Sequence, residues 1–199
     1  MSSNLTFSAI INLKNANDES NKVTTLYLDT EFNGFDGQFI SAALVAEDGR
    51  EWYQATFCHH PTDWVAKHVI PVIGIRLLMY EELQESLRLF LQKYEEVTIV
   101  CDWPRDVEHF CKLLMLEDGS GRMIRTPRLT FVIDTSLSDY TDSLKPHNAL
   151  ADANALRLVD LQRQIRKINL ADPDVEPSEH DLRCIMADVA IEVNKKAKK

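Results

Sequence analysis

The sequence predicts an α/β fold built on a central mixed sheet, and three observations point to it. Three strand-like runs separated by turn residues open the informative part of the chain. Helical and strand periodicities then alternate to about residue 168. One short run, Val97-Thr98-Ile99-Val100-Cys101, is nearly all apolar, the composition of a strand buried on both faces. Strands joined by tight turns pair antiparallel, whereas strands separated by helices pair parallel. The expected sheet therefore has its first three strands antiparallel and carries helices on both faces. At 199 residues the chain suffices for one well-buried domain, taken as residues 1–199.

Each element follows from local pattern. Leu5 to Leu13 is apolar and rich in β-branched residues, as in an edge strand or an N-terminal arm. Val23 to Asp29 reads as the first strand, with Asn33-Gly34 and Asp36-Gly37 supplying turn chemistry. Phe39 to Val45 and Glu51 to Phe57 are the second and third strands, joined at Asp48-Gly49. Asp63 to His68 and Arg76 to Tyr94 switch to helical spacing, the latter through Leu77, Leu83, Leu87, Leu91 and Tyr94. After the strand at 97–101, Pro104 stands at the start of a helix running to about Leu116, where its missing N–H costs little. Leu129 to Ile133 is a further strand. A long amphipathic helix covers Asn148 to Ile168, and Ser178-x-x-Asp181 caps a C-terminal helix over 178–193.

Composition narrows the function classes. The net charge of −9 argues against coating nucleic acid broadly through counterion release, but leaves room for a small acidic cleft. Cys58, Cys101, Cys111 and Cys184 form no C-x-x-C pair and no zinc spacing, so buried thiols in a reducing compartment are expected. No signal peptide or membrane-spanning run is visible, which gives cytoplasm as the expected location and no membrane partner. A phosphate-binding loop of the form G-x-x-x-x-G-K-[ST] and a G-x-G-x-x-G turn are both missing, against kinase, ATPase and dinucleotide-binding readings.

The chemistry lies in acids at element ends. In Tyr27-Leu28-Asp29-Thr30-Glu31-Phe32-Asn33-Gly34, strand alternation points Asp29 and Glu31 to one face. Two such carboxylates repel each other unless a cation or donor compensates. Asp102 ends the apolar strand, with Asp106 one turn further as an alternative ligand. Asp152 lies among alanines and leucines on the long helix, where a buried acid needs a partner and a solvated face is the other reading. His147 precedes Asp152 by five residues, so it flanks a shared cleft if it sits on the turn entering that helix. Four carboxylates and a histidine suit a two-metal phosphodiesterase. Hard oxygen ligands favour Mg2+, with Mn2+ able to substitute, and the imidazole can take a proton from the attacking water.

Asp29-Thr30-Glu31, Asp102 and His147-x-x-x-x-Asp152 resemble the three motifs of the DEDDh 3′–5′ exonucleases, the ribonuclease T-like family, with the ribonuclease-H-like fold. The likeness spans residues 23 to 165 and is strongest to small phage and bacterial exoribonuclease-like members with Asp-Trp in the second motif, here Asp102-Trp103. Cys101 departs from the aromatic that many relatives carry there. The resemblance implies an exonuclease that uses two metal ions to release nucleoside 5′-monophosphates from a free 3′-hydroxyl end of single-stranded nucleic acid, by the likeness an exoribonuclease. Asp29 would bridge both ions, Glu31 and Asp152 would hold the one that activates water, Asp102 the other, and His147 would be the general base. Phe32, Asn33, Gly34 and Trp103 would lie at the terminal nucleotide. Arg128, with Arg122 and Arg125 in the same linker, and Lys145 are candidate phosphate ligands. Relatives are often dimers, and the apolar N-terminal arm gives the same expectation of a homodimer here. Two other classes stay open: a metal-dependent nucleotide phosphohydrolase, and a non-catalytic nucleic-acid-binding scaffold. The residues themselves do not choose between RNA and DNA.

Overall fold

Alternation of apolar residues along β1 (Thr24–Phe32) decides how the sheet is dressed. Leu26 and Leu28 enter one layer, while Tyr27, Asp29 and Glu31 point to the other. The structure is a computed structural model and describes residues 23–138 and 143–171, with side chains of the last helix as far as Gln164. The N-terminal arm, the 178–193 helix and Cys184 lie outside the described residues.

β1 is followed by β2 (Phe39–Ala46) and β3 (Glu51–Thr56), α1 (Asp63–His68), a 3-10 turn at Ile70–Val72, and β4 (Leu77–Leu78). Then come α2 (Tyr80–Leu91), β5 (Glu96–Cys101), α3 (Pro104–Leu114), β6 (Arg128–Ile133), a second 3-10 turn at Thr135–Leu137 and α4 (Ala149–Ala171). The six strands form one mixed sheet in the order β4-β3-β2-β1-β5-β6. As expected, β1, β2 and β3 pair antiparallel, and β5 and β6 extend the sheet in parallel beside β1. The fold is α/β with helices on both faces. The chain divides into two compact units, Met1–Leu156 and Arg157–Lys199; the sheet and the acids below belong to the first.

One element departs from the sequence reading. Arg76 to Tyr94 was expected as a single helix, but Leu77 and Leu78 form β4, parallel to Ala55 and Thr56 of β3, and the helix begins at Tyr80. Leucines at helical spacing also satisfy a strand, and the free edge of β3 offers hydrogen bonds that the local pattern does not reveal. Glu82 then accepts the Met79 N–H at 3.0 Å, closing the first turn of α2.

The larger core layer holds Leu26, Leu28, Leu44, Ile99 and Cys101 from the strands against Leu83, Leu87, Phe110 and Leu113 from α2 and α3. On the opposite face the contacts are small: Ala43 and Val45 of β2 meet Ala149 and Ala153 of α4. The thiols vary, Cys101 being buried, Cys58 half-buried and Cys111 exposed, so the expectation of buried cysteines fails at Cys111. Its helix turns that position away from the layer that receives Phe110 and Leu113. Among the described residues no helix is long and apolar enough to cross a membrane.

Leu28 is fully buried at the centre of the main layer, whereas Leu89 on α2 is exposed. Leu28→Ala is expected to lower unfolding free energy by ~2–5 kcal/mol in urea denaturation, and Leu89→Ala by less than ~0.5 kcal/mol. Equal losses at the two positions would contradict this assignment of the core.

Candidate metal centre

β1 and β5 run parallel with Tyr27 opposite Val100, so Asp29 and Asp102, two residues beyond, emerge side by side at the same sheet edge. The pairing of β1 with β2 shifts register between Glu31 and Phe32, an irregularity that turns the strand just where its acids end. The small contacts of Ala149 and Ala153 against β2 let α4 approach closely, which brings Asp152 onto the face that carries Asp29 and Glu31.

Two sets of carboxylates result. Oxygens of Asp29, Glu31 and Asp152 lie within 4.8 Å of one another, and so do oxygens of Asp29, Asp102 and Asp106. Asp29 belongs to both. All but half-buried Glu31 are buried, and among the described residues Asp29 Oδ2, Asp102 Oδ1 and Asp152 Oδ1 are enclosed with no hydrogen-bond partner. Buried carboxylate oxygens without donors are costly, and a divalent cation is what this donor set fits.

The protonation behaviour agrees. Burial, then repulsion from Asp106, Glu31, Asp152 and Asp102, holds the Asp29 carboxyl well above the ordinary range. Burial with repulsion from Asp152 and Asp106 lifts Glu31 to about 8. Burial lifts Asp106 to about 7 against the opposing Thr30 hydrogen bond, with Asp102 adding to the rise. Asp102 and Asp152 are also raised by burial, moderated by Ser138 at the first and by Ser143 and the His147 N–H at the second.

Asp106 is more central than the motif reading allowed. Its Oδ1 accepts the Thr30 N–H at 3.1 Å and the Thr30 hydroxyl at 2.6 Å, tying α3 to the residue between Asp29 and Glu31. Asp102 and Asp106 are both in the site; the geometry does not force a choice between them. Helical spacing from Asp102 signals Asp106, whereas its bond to Thr30 spans too much sequence to be read locally.

His147 stands on the turn entering α4, the placement under which it can flank the same cleft as Asp152. Its N–H donates to Asp152 Oδ2 at 2.9 Å, and its ring packs edge-on against Trp64 of α1 at 4.9 Å between centroids. Trp64 also stacks on His68 and remains 52% exposed. Sequence reasoning missed this pair because α1 and His147 are far apart in the chain. It also missed Phe35, 74% exposed at the tip of the β1–β2 connection with the Arg105 guanidinium 4.2 Å from its ring. Asp36 and Glu108 hold that guanidinium in place.

The expected substrate contacts fare unequally. Trp103 follows Asp102 and is 51% exposed, so it is not a core tryptophan. Phe32 stacks on His109 of α3 at 4.5 Å. The Asn33 amide donates to the His60 carbonyl and accepts the Thr62 N–H, both at 2.8 Å, so this side chain clamps the loop before α1. Gly34 takes φ 74° beside it. Lys145 reaches the Val72 carbonyl at 2.7 Å. Arg128 is at the wrong end: it begins β6 opposite Glu96, while the acids lie where the parallel strands finish, ~17 Å away at the rise of a strand. Arg122 pairs with Asp118 at 2.9 Å in the connection before that strand.

The chain matches no protein-family model and no curated protein.

Glu31 and Asp106 bind protons in the folded state up to about 8 and about 7, against 4.5 and 3.8 ordinarily. In that interval the folded protein holds more protons than the unfolded chain. Stability of the metal-free protein is therefore full below pH ~4 and declines as pH rises toward ~8. Glu31→Gln and Asp106→Asn are each expected to flatten the decline and to raise stability at pH 8 by ~1–3 kcal/mol, the equivalent of one to two pKa units. Urea denaturation across pH in the presence of chelator measures this. An unchanged slope in both variants would argue against close packing of the acids.

Proposed function

We propose that this protein is a divalent-metal-dependent 3′–5′ exonuclease with a ribonuclease-H-like fold, acting on single-stranded nucleic acid. The observation that carries the reading is the convergence of Asp29, Glu31, Asp102, Asp106 and Asp152 at one sheet edge, with enclosed and unpartnered oxygens on three of them. Apart from the short β4 added parallel to β3, the sheet order, with β1–β3 antiparallel and β5 and β6 parallel beside β1, supports the same fold. Asp29, Glu31 and Asp152 would hold one ion and Asp29, Asp102 and Asp106 a second. Ions bound there would neutralise the scissile phosphate and make water a competent nucleophile at neutral pH.

The remaining work falls to the chain itself. Asp152 anchors the backbone of His147, whose imidazole is the general base for the attacking water. Thr30 and Asp106 fix the strand between the two acids of β1. Exposed Trp64, Trp103 and Phe35 supply aromatic faces around the acidic edge, on which unpaired bases can stack whatever their identity. The Arg105 guanidinium, held by Asp36 and Glu108, packs on Phe35 and steadies that aromatic face. A substrate of several nucleotides accounts for these exposed aromatics better than a mononucleotide, which favours a nuclease over a phosphohydrolase.

Protein supplied with Mg2+ or Mn2+ is expected to shorten a 3′-hydroxyl oligonucleotide stepwise, with nucleoside 5′-monophosphates as products by chromatography. Asp29→Ala and Asp152→Ala should each abolish this, and His147→Ala should slow it ~10²–10⁴-fold while metal binding is retained. Full activity in Asp29→Ala would overturn the assignment, and a 3′-phosphate block with no effect would exclude a 3′ start. Parallel RNA and DNA oligonucleotides identify the preferred sugar.

A further inference from the structure

Among the described residues, His147 is the one non-glycine residue with a positive φ, at 66°. A side chain with a Cβ resists this left-handed conformation, so surrounding contacts must hold it. Asp152 supplies one by accepting the His147 N–H. The others pass through the next residue, Asn148, which is buried at the start of α4.

The Asn148 amide is used on both sides. Its Oδ1 accepts the Ala151 N–H at 3.2 Å, an ordinary helix cap. Its Nδ2 donates to the Val72 carbonyl at 2.7 Å and to the Tyr53 phenol oxygen at 3.0 Å. The Tyr53 O–H in turn donates to the Ile73 carbonyl at 2.9 Å, and burial keeps that phenol protonated. The ammonium of Lys145, two residues before His147, also reaches the Val72 carbonyl. One side chain thus joins the start of α4, strand β3 and the 3-10 turn at Ile70–Val72. That turn directly follows α1, which presents Trp64 to the His147 ring. Asn148 therefore grips both the backbone that launches the imidazole and the segment that carries its packing partner.

We propose that Asn148, supported by Tyr53, is a positioning residue for His147, beyond its service as a helix cap. The inference rests on the exonuclease reading above and names what sets the geometry of its base. A group misplaced by about 1 Å can cost ~10²-fold in rate, far more than the loss of these donors would cost in folding stability as a fold-change per hydrogen bond.

Asn148→Ser separates the two roles, because serine caps a helix as well as asparagine but lacks the Nδ2 donors. The expected result with a 3′-hydroxyl oligonucleotide at saturating Mn2+ is a kcat lower by ~10–100-fold with KM within ~3-fold. Mn2+ affinity should stay near that of the parent, and the melting temperature should fall by only a few degrees, roughly the loss of one or two buried hydrogen bonds. In metal-free protein, the His147 ring proton signals should move as the imidazole leaves the ring current of Trp64. The double variant His147→Ala/Asn148→Ser should be no slower than His147→Ala alone. Tyr53→Phe, which removes only a hydroxyl, should shift kcat in the same direction by several-fold and guards against a folding defect in the serine variant. If His147→Ala leaves turnover unchanged, the general-base reading fails. If His147→Ala is slow but Asn148→Ser matches the parent, or the two losses multiply, Asn148 is a cap alone and the positioning role is overturned.

Discussion

Everything at the acidic edge depends on the parallel pairing of β1 with β5. Hydrogen bonds from Thr24–Val97 to Tyr27–Val100 fix the register, and that register delivers Asp29 and Asp102 to the same place. Left to themselves, two buried aspartates would separate or neutralise. They cannot separate, because the same strands carry Leu26, Leu28, Ile99 and Cys101 into the main core, and a slip by one residue would turn all of these outward. The hydrophobic layer on one face therefore holds in place the unfavourable charge on the other.

Around that constraint the acids divide into organised and bare. Thr30 satisfies one oxygen of Asp106 with two donors, and the His147 N–H satisfies one of Asp152. These bonds cross between elements, from α3 to β1 and from helix to entering turn, so they fix positions as well as charge. Among the described residues, Asp29 Oδ2, Asp102 Oδ1 and Asp152 Oδ1 have no such partner. A site that spends donors on alignment while leaving inward oxygens bare resembles one arranged for a cation, since a purely structural cluster gains by satisfying every oxygen.

Much of this was legible in the sequence. Period-2 alternation placed Asp29 and Glu31 on one face, the apolar run 97–101 fixed β5, and Asp102 directly after it fell at the correct end. The spacing of His147 and Asp152 suited a shared cleft only if His147 lay on the turn entering α4, and the structure places it there. What was not legible depends on partners distant in the chain. β4 exists because the edge of β3 was open, and local leucine spacing could not reveal that. Trp64 meets His147, and Asn33 clamps the loop at His60 and Thr62, through contacts that no motif encodes. Arg128 looked suitable by residue type alone; strand direction, fixed by parallel pairing with β5, puts it at the opposite edge.

The distinction between bare and organised oxygens also bears on the second motif, where Asp102 and Asp106 compete as ligands by spacing. The two are not equivalent. Asp106 belongs to α3 and has one oxygen committed to the backbone and hydroxyl of Thr30, so it moves only if β1 moves. Asp102 stands outside both strand and helix, at the junction between them, and keeps a buried oxygen unsatisfied. Deleting the first loosens the frame that aligns Asp29 with Glu31, while deleting the second removes a donor and leaves that frame intact. The two neighbouring aspartates are thus better understood as one open carboxylate and one brace than as duplicates. The Thr30 bonds show why neither can stand in for the other.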